Sequence, residues 1–523
     1  MNYLLSIIIF FPAFAAVILY VLKGEKGRVF AIIVAALELL FVLLLWSEFN
    51  INYGGIQFYS HIEIIHSFGV AYAVGVDGIS LFLITLNALL TLFALSLFKY
   101  IKTSIAIAVL FLESIIMGVF SALDVMLFYI FWEFSLLPVL YLLGIWGGEK
   151  RIYAAIKYFV YAFGGSIIML VGILYFAYQY KLFMGVWSFN LLDWYQISFN
   201  TQLQKWLFLA FFIGMAVKIP LFPLHSWQPH TYTQAPMIGS ALLSGVVSKM
   251  GTYGLLRFVL PLFPDASSWA TLVVSIICVG MVVYGAMLSL VQKDAKTLLA
   301  YGSISHMGII VLGLFSLNTE GLSGAVFFMI SHGLVVAALF FLVGAVYERT
   351  QTQQISQIQG LAHSMPRLSS TFGIVMMCSL GLPLTMGFVG EVLCLYGIFQ
   401  VNPIIAFLAG SSFFVGAIYM LVLFKRVFLG NISPTHSTLK DFNLREKIVF
   451  APIVAIIICF GVYPKPLLNP ISTSVQTLLP ILTPTNPSTT TERNKMGEQN
   501  IFIYKSAPDD FDEGVLVIPN IGD

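Results

Sequence analysis

Six ionisable side chains lie inside long apolar stretches of this sequence, where they could bind and release protons: Glu133, Lys218, Lys249, His306, His332 and Glu391. Glu113, in the fourth apolar stretch, is a seventh. Such a group near the centre of a bilayer costs at least about 2.5–3.5 kcal/mol on insertion scales, so each one needs a reason. Acids, lysines and histidines together have the composition of a proton relay. No Walker A sequence, GxGxxG fingerprint or cysteine cluster accompanies them, so any driving energy must come from elsewhere.

The composition shows what kind of chain holds these groups. Of 523 residues, 59% are hydrophobic and 10% are charged, against roughly 25% charged in a soluble protein. This excludes a soluble enzyme, a disordered chain and a nucleic-acid binder, which needs a basic surface. The four cysteines stand singly in apolar stretches, which favours neither a disulfide framework nor a metal site.

Apolar runs of about 20 residues, the length that crosses the bilayer, predict an all-α polytopic membrane protein with about fourteen transmembrane helices. The predicted spans are 3–22, 29–48, 76–98, 104–122, 125–145, 155–178, 205–224, 236–260, 268–290, 297–317, 322–346, 368–400, 402–428 and 446–464.

Lysine and arginine predict the orientation. Seventeen of them fall in one set of alternating loops, whereas the opposite side has Lys181, Lys205, Arg257 and Lys465. Because basic loops stay in the cytoplasm, both termini are expected outside. The first apolar run precedes its basic cluster, so it is interpreted as a retained span and not a cleaved signal.

Prolines interrupt two predicted spans. The seventh contains Pro220 and Pro223 after Lys218, and the twelfth contains Pro383 between Gly381 and Gly387. Broken helices persist in membranes only within protein or beside a water-filled cavity. The breaks lie five spans apart, which predicts two inverted five-helix repeats, as in transporters. Proline is common in membrane helices, so an unrelated origin of the two breaks stays open.

These observations predict five regions. They are helices 1–3 (1–103), a first repeat of helices 4–8 (104–260), a second, inverted repeat of helices 9–13 (268–428), helix 14 (446–480) and a polar extramembrane tail (481–523). The tail contains strand-like runs at 501–504 and 515–518 around an acidic stretch. It could dock on a neighbour or be disordered.

Glu133 and Lys218 are predicted to form a buried pair. At ~6 Å and an effective dielectric of ~20 their attraction is roughly 3 kcal/mol, whereas burial favours the neutral lysine. A lysine between these effects can exchange a proton as its partner moves. A static ion pair that fixes helix packing is the alternative.

Lys249 lies mid-span without a carboxylate in its own helix, which predicts a lysine able to be neutral. An inert lysine that reaches the interface is the alternative. His306 and His332 are predicted to bridge the relay, with satisfied core histidines or haem ligands as alternatives. Glu391, after the second break, is predicted to be the terminal carboxylate.

Five motifs together resemble the antiporter-like membrane subunits of respiratory complex I, and the M-type branch most closely, over roughly residues 1–480. They are Phe128–Pro138 with Glu133, Phe212–Trp227 with Lys218, Lys249–Phe258, Tyr301–Gly308 with His306, and Gly387–Glu391. Related subunits and Mrp-type antiporters usually have Lys where Glu391 stands, which favours the M-type branch. The sequence departs from the family at His230, where an Asp is usual, at Gln234, and in the tail. No long lateral helix is predicted after span fourteen, which argues against the L-type branch.

The resemblance implies a non-redox subunit of a proton-translocating NADH–quinone oxidoreductase in the bacterial inner membrane. It implies Glu133 and Lys218 as the uptake pair, Lys249 as the central lysine, His306 and His332 as the bridge, and Glu391 near periplasmic release. It also implies sister antiporter-like subunits as partners, no cofactor or metal in this chain, and NADH, FMN, iron–sulfur clusters and quinone in other subunits. A subunit of an Mrp-type antiporter or of a membrane-bound hydrogenase, and a membrane scaffold, are the alternatives.

Overall fold

The computed structural model describes residues 3–22, 24–98, 101–431, 436–482 and 503–504, and these residues are mostly helical. Four helices open the chain: α1 Leu4–Leu19, α2 Gly24–Ser47, α3 Ser80–Leu97 and α4 Thr103–Ser121. Helix α1 packs on α4, and α2 packs on α3. The predicted all-α class is confirmed, with one addition between α2 and α3.

That addition is a β-hairpin. Strand β1 Ile56–Ile65 pairs antiparallel with β2 Val70–Val76, and Gly69 at φ 62° completes the turn, a conformation that glycine adopts without strain. Strand β3 Ile503–Tyr504 adds to β1 in parallel, which agrees with the strand-like run at 501–504. The second predicted run, at 515–518, and its acidic neighbours lie outside the described residues.

The next group of helices runs through the predicted first repeat. It contains α5 Val125–Phe134, α6 Leu136–Trp146, α7 Arg151–Met184, α8 Leu191–Trp194, α9 Thr201–Lys218, α10 Trp227–Gln234, α11 Met237–Leu242, α12 Ser248–Gly254 and α13 Leu260–Leu262. Two π-helical segments, Leu243–Val247 and Leu255–Val259, join α11 to α12 and α12 to α13. The sequence analysis predicted this stretch as one regular span.

The remaining helices run through the predicted second repeat and beyond it. They are α14 Pro264–Leu290, α15 Ala295–Leu314, α16 Thr319–Thr350, α17 Leu361–Ser364, α18 Pro366–Ser379, α19 Met386–Val401, α20 Pro403–Gly410, α21 Ser412–Phe428, α22 Leu444–Val462 and α23 Lys465–Leu482. Helix α16 is buried along its whole apolar stretch, whereas most residues of α2, α7 and α14 are exposed or only partly buried. The apolar exposed faces suit contact with lipid.

Both predicted helix breaks are confirmed. Helix α9 ends at Lys218, and α10 begins at Trp227 after the Phe222–Pro223 cis peptide. Helix α18 ends at Ser379 and α19 begins at Met386, with Gly381 at φ 66° between them. The prolines cause the interruptions because each lacks a backbone N–H and clashes with the preceding turn.

Helix 14, predicted over 446–480, is instead two helices. Helices α22 and α23 meet at Tyr463 and Pro464 with a bend of 65°. Pro464 and Pro466 explain the bend, since helices usually end before a proline. Helix α23 returns along α16, so a second helical segment follows the last predicted span.

Among the described residues, fewer helices are long and apolar enough to cross a membrane than the fourteen spans predicted from the sequence. Nine helices of the described residues are long and apolar enough to cross a membrane, and the bent pair α22–α23 makes a tenth. Helices α1 and α19 are apolar but shorter. Breaks and π-helical segments divide several predicted spans, so the count of fourteen and the five-region division stay predictions.

A buried ion pair connects the second π-helical segment to the residues just before α3. Arg257, in the second π-helical segment, donates from its Nη2 to Asp77 just before α3. Asp77 also accepts the backbone N–H groups of Ile79 and Ser80. The Tyr195 hydroxyl donates to the Arg257 carbonyl over 2.6 Å. Arg257, predicted near a helix end, is therefore held inside the protein.

Candidate functional site

Lys249 lies in α12, between the two π-helical segments. Its side chain is 0% exposed, and its ammonium nitrogen Nζ donates to the Ser244 carbonyl and lies 3.3 Å from Ser248 Oγ. The same Nζ lies 3.0 Å from His332 Nδ1. π-Helical turns are rare and occur frequently at functional sites. Lys249 therefore contacts a titratable partner inside the protein and does not reach an interface.

His332 and His306 stand side by side on α16 and α15. Their ring centroids are 5.4 Å apart, and both rings are buried. Within the described residues, neither nitrogen of His306 has a hydrogen-bond partner, and neither has His332 Nε2. Buried polar atoms are normally satisfied, and among the described residues no protein group satisfies these three nitrogens. Lys249, His332 and His306 form one contiguous group.

Within the described residues, Lys218 and Glu133 make no direct salt bridge, and their predicted pairing at ~6 Å stays a prediction. Lys218 Nζ donates to Ser135 Oγ over 2.7 Å and to the Trp132 carbonyl over 3.4 Å. It also lies 4.5 Å from the Trp132 ring centroid, a cation–π distance. Glu133 is half-buried and interacts with Lys218 electrostatically without touching it.

Local sequence explains this geometry. Pro138 lacks the N–H that would bond the Phe134 carbonyl, and the helix divides into α5 and α6 at Ser135. The Ser135 hydroxyl donates to the Trp132 carbonyl over 2.6 Å and accepts from Lys218. Sequence reasoning missed this serine because no acid or base marks it.

Glu391 follows the second break, near the start of α19, and is 2% exposed. The Ser412 hydroxyl donates to Glu391 Oε1 over 3.1 Å. A Cβ at Gly381 would lie 2.9 Å from Glu391 Oε2. Because glycine has no Cβ, the Glu391 carboxylate can lie close to the backbone of the broken segment. The break and the acid are thus brought together as predicted.

A Phe ring separates Glu391 from the histidines. Phe328 contacts the His306 and His332 rings at centroid distances of 5.8 Å and 6.1 Å. Its backbone and Cβ face Gly390, next to Glu391, where an added Cβ would lie 2.7 Å from Phe328 Cβ. The second half of the predicted line therefore has no direct contact from histidine to acid.

Tyr419 of α21 lies near this gap, and sequence reasoning missed it. Its side chain is 3% exposed, and a Cβ at Gly302 would lie 2.8 Å from its hydroxyl. Gly302 is one helical turn before His306 in α15, and Tyr419 interacts electrostatically with Glu391. Its local sequence does not distinguish it from the other 23 tyrosines of the chain.

Three serines precede Lys249 in the chain at intervals of four residues. The Ser240 hydroxyl donates to the Tyr232 carbonyl over 2.7 Å, that of Ser244 to the Ser240 carbonyl over 2.8 Å, and that of Ser248 to the Ser244 carbonyl over 3.1 Å. All three are buried. The spacing was visible in the sequence as Ser-x3-Ser-x3-Ser, which places hydroxyls on one helix face. We call these residues the serine ladder.

Lys296 lies at the far end of the serine ladder. It was counted in the sequence as a basic loop residue, yet it is only 2% exposed. Its Nζ donates to the Ala235 carbonyl, and Ser240 Oγ lies 3.3 Å from the same oxygen. Lys296 is thus a third buried lysine, beside Lys218 and Lys249, and it lies where the chain enters α11.

His230 and Gln234, the two residues at which the sequence departs from the family pattern, lie in the segment before α11. His230 is exposed, with Nδ1 at 3.0 Å from the Ser226 carbonyl and 3.5 Å from Lys157 Nζ. Gln234 Oε1 accepts the backbone N–H of Lys150 over 2.9 Å. These contacts tie α10 to α7 and to its preceding loop.

Glu113 does not join this group of residues. It lies in α4, is 1% exposed, and interacts electrostatically with Glu38 of α2. Sequence reasoning missed Glu38, although a single acid within the apolar run of α2 was a visible signal.

Residues 122–416 match the family described as NADH:quinone oxidoreductase/Mrp antiporter. A Rickettsia prowazekii protein named NADH-quinone oxidoreductase subunit M is 39% identical over 492 residues, which cover 91% of this chain and 98% of the relative.

Two solved structures are also similar. A chain of respiratory complex I from Thermus thermophilus with bound NADH has a TM-score of 0.84 and 31% identity, and the match covers 91% of this chain and 99% of that one. A chain of the Mrp complex from Dietzia sp. DQ12-45-1b has a TM-score of 0.80 at 20% identity, with 93% and 98% covered. The second likeness concerns the fold alone.

Proposed function

Because this chain belongs to the NADH:quinone oxidoreductase/Mrp antiporter family of membrane proteins, we propose that it is a proton-translocating subunit in the membrane arm of respiratory complex I. It moves H⁺ from cytoplasm to periplasm, and electrons pass through other subunits. The observation that carries the proposal is the 3.0 Å contact between Lys249 Nζ and His332 Nδ1 among buried groups. A titratable amine held against an imidazole is able to pass a proton directly.

Lys218 and Glu133 act as the switch in this proposal. The contacts of Lys218 with Ser135 and Trp132 represent the open pair, in which Glu133 stabilises the ammonium only weakly. Approach of the two groups favours protonated Lys218, and separation favours release, because an adjacent carboxylate stabilises the charged amine. Proton affinity thus follows the distance between two side chains.

The central transfer passes through three side chains. Protonated Lys249 donates to His332 Nδ1, and the imidazole then carries its other proton on Nε2. This nitrogen has no partner among the described residues and belongs to the ring next to His306. His306 accepts the proton, and Glu391 receives it through Tyr419 and through water that passes around Phe328. Phe328 and Tyr419 therefore lie along the proposed exit path from His306 to Glu391.

The serine ladder supplies the cytoplasmic approach to Lys249 in this proposal. Its hydroxyls extend from the Ala235 carbonyl, which binds Lys296, to the Lys249 ammonium. Each hydroxyl both donates and accepts hydrogen bonds, so the face can hold a file of water. Lys296 stands at the entrance, on the side that the basic loops assign to the cytoplasm.

Ser244→Ala/Ser248→Ala is expected to slow coupled NADH–quinone turnover about fivefold to tenfold, the equivalent of about one hydrogen bond of ~1 kcal/mol. The matched control is Ser121→Ala, since Ser121 is equally buried and donates to the carbonyl four residues earlier over 2.8 Å, but lies on α4. Initial rates in membrane vesicles measure the effect. Equal rates in both variants would exclude the serine ladder as the route.

The proposed partners are sister antiporter-like subunits and the lipid bilayer. NADH, FMN, iron–sulfur clusters and quinone are assigned to other subunits, and the chain crosses the bacterial inner membrane with both termini periplasmic. An Mrp-type antiporter or a membrane-bound hydrogenase is the less favoured assignment. The likeness to the Mrp complex chain stands at 20% identity, against 31% for the complex I chain.

Affinity purification of the tagged chain from its native membrane tests the assignment. We expect NADH-oxidising activity, flavin and iron–sulfur signals to copurify in constant proportion to the chain. The control is the same preparation from cells with the untagged chain. Recovery with antiporter subunits and without flavin would contradict the assignment.

A further inference from the structure

A small pocket lies beside the second π-helical segment, on the side away from the basic loops. Its volume is about 30 Å³, which is room for about two water molecules. Gly54 and Thr477 line the pocket and are partly exposed, whereas Asp77 and Arg257 line it and are buried. Water from that side can therefore reach the ion pair of Asp77 and Arg257.

A proton pump must keep such a pocket apart from its relay. Arg257 follows Lys249 by two helical turns, so water continuous from the pocket to Lys249 would let protons return without turnover. The inference below rests on the proposed function, in which Lys249 carries the transported proton.

The Arg257 side chain cannot continue a hydrogen-bonded chain of water. A proton passes along such a chain only through groups that both accept and donate, whereas a guanidinium has donors alone and keeps its proton in proteins. Arg257 is 4% exposed, and its Nη2 donates to Asp77. The inner wall of the pocket is therefore formed by a group that passes no proton.

The Asp77 carboxylate is bonded within the protein at both oxygens. Its Oδ2 accepts from Arg257, and its Oδ1 accepts the backbone N–H groups of Ile79 and Ser80 over 3.1 Å and 3.0 Å. The Ser80 hydroxyl also lies 3.1 Å from Oδ1. These contacts fix the carboxylate against Arg257 and hold the pair in one geometry.

Two tyrosines flank the ion pair. Tyr253 lies between Lys249 and Arg257 in the chain, and its ring centroid is 5.5 Å from the central carbon of the guanidinium. Its hydroxyl donates to the Phe120 carbonyl over 3.0 Å, and the Tyr195 hydroxyl donates to the Arg257 carbonyl over 2.6 Å. Both hydroxyl protons are thus bound by backbone oxygens, so neither tyrosine offers a way around Arg257.

We propose that Arg257, held in place by Asp77, is a proton barrier between the water in this pocket and Lys249. Arginine serves the same purpose in membrane pores that exclude protons and other cations. The barrier lets water approach the end of the Lys249 segment while the proton on Lys249 leaves only through the relay.

Passive proton entry into liposomes that contain the purified complex tests the barrier without NADH. Asp77→Asn/Arg257→Gln removes both charges together and leaves no buried charge unpaired. Under an imposed membrane potential, this variant should raise proton entry about tenfold, the equivalent of a barrier lowered by ~1.4 kcal/mol. Arg257→Lys keeps a cation with donors only and should stay near the unmutated rate.

The matched control is Arg349→Gln/Glu446→Gln, which neutralises another buried ion pair that does not line the pocket. It should leave passive entry unchanged. Adding Lys249→Met to Asp77→Asn/Arg257→Gln should return entry to near the unmutated rate. Entry that persists in this triple variant, or an assembled Asp77→Asn/Arg257→Gln complex that is as tight as the unmutated one, would overturn the proposal.

Radiolytic labelling of the unmutated complex covers the case in which the variants do not assemble. Hydroxyl radicals formed from bound water should label Tyr195, which lines the pocket, and leave Tyr253 unlabelled. Equal labelling of Tyr253 would show that water passes Arg257 and would overturn the barrier. Because none of these measurements requires NADH oxidation, failure here is distinct from failure of the proposed translocation.

Discussion

Lys249→Met is expected to lower coupled NADH–quinone activity by about 100-fold or more, within the ~10²–10⁴-fold that a positioned acid–base group contributes. Methionine has a similar unbranched shape, so the packing between the π-helical segments is kept. What is lost is the ammonium that contacts His332 Nδ1 over 3.0 Å. Activity in membranes, normalised to assembled complex on native gels, measures the effect.

Lys181→Met is the matched control, because Lys181 is exposed and lies over the Trp187 ring. It should leave the rate unchanged. If Lys249→Met assembled normally and kept full turnover, the polar residues would serve only to pack helices, and the scaffold interpretation would be preferred.

Lys218→Ala and Glu133→Ala are each expected to abolish proton pumping and most coupled activity while the complex still assembles. Lys218→Ala removes the side chain that alternates between two positions in the proposed switch. The structure contains the position in which the Lys218 ammonium binds Ser135 and Trp132. Glu133→Ala removes the carboxylate charge that attracts the Lys218 ammonium to the second position. Proton uptake recorded with a pH-sensitive dye during NADH oxidation measures the loss.

Ser135→Ala distinguishes a switch from a static contact. It removes the 2.7 Å partner of Lys218 in the open position and should favour the closed pair, with slower turnover and unchanged assembly. Assembled Lys218→Ala or Glu133→Ala complexes that pump with unchanged stoichiometry would remove this pair from the mechanism.

The central residues were predictable because membrane burial makes ionisable groups rare. Lys249, His306, His332 and Glu391 each interrupt an apolar run, and a linear pattern is enough to find them. The breaks near Lys218 and Glu391 were also predictable, because proline and glycine act through local backbone geometry.

What could not be predicted depends on contacts between distant segments. Ser135 becomes informative only once α9 is placed beside it, and Tyr419 only once α15 is placed beside α21. Hydroxyl groups carry no charge that marks them in a sequence. The π-helical segments around Lys249 have no proline or other local signature. The β-hairpin was missed because a search for apolar runs of fixed length does not register strands. The α22–α23 bend was missed because α23 contains several polar residues and lies beyond the last apolar run.

The proton-to-electron ratio of the reconstituted complex tests the connected relay most directly. Unmutated, Lys181→Met and Lys249→Met complexes would be placed in liposomes at equal orientation, and external and internal pH followed per NADH oxidised. The relay predicts that Lys249→Met moves fewer protons for each NADH that it still oxidises, whereas Lys181→Met matches the unmutated complex. An unchanged ratio in Lys249→Met would show that protons cross without this lysine, and the relay would be contradicted.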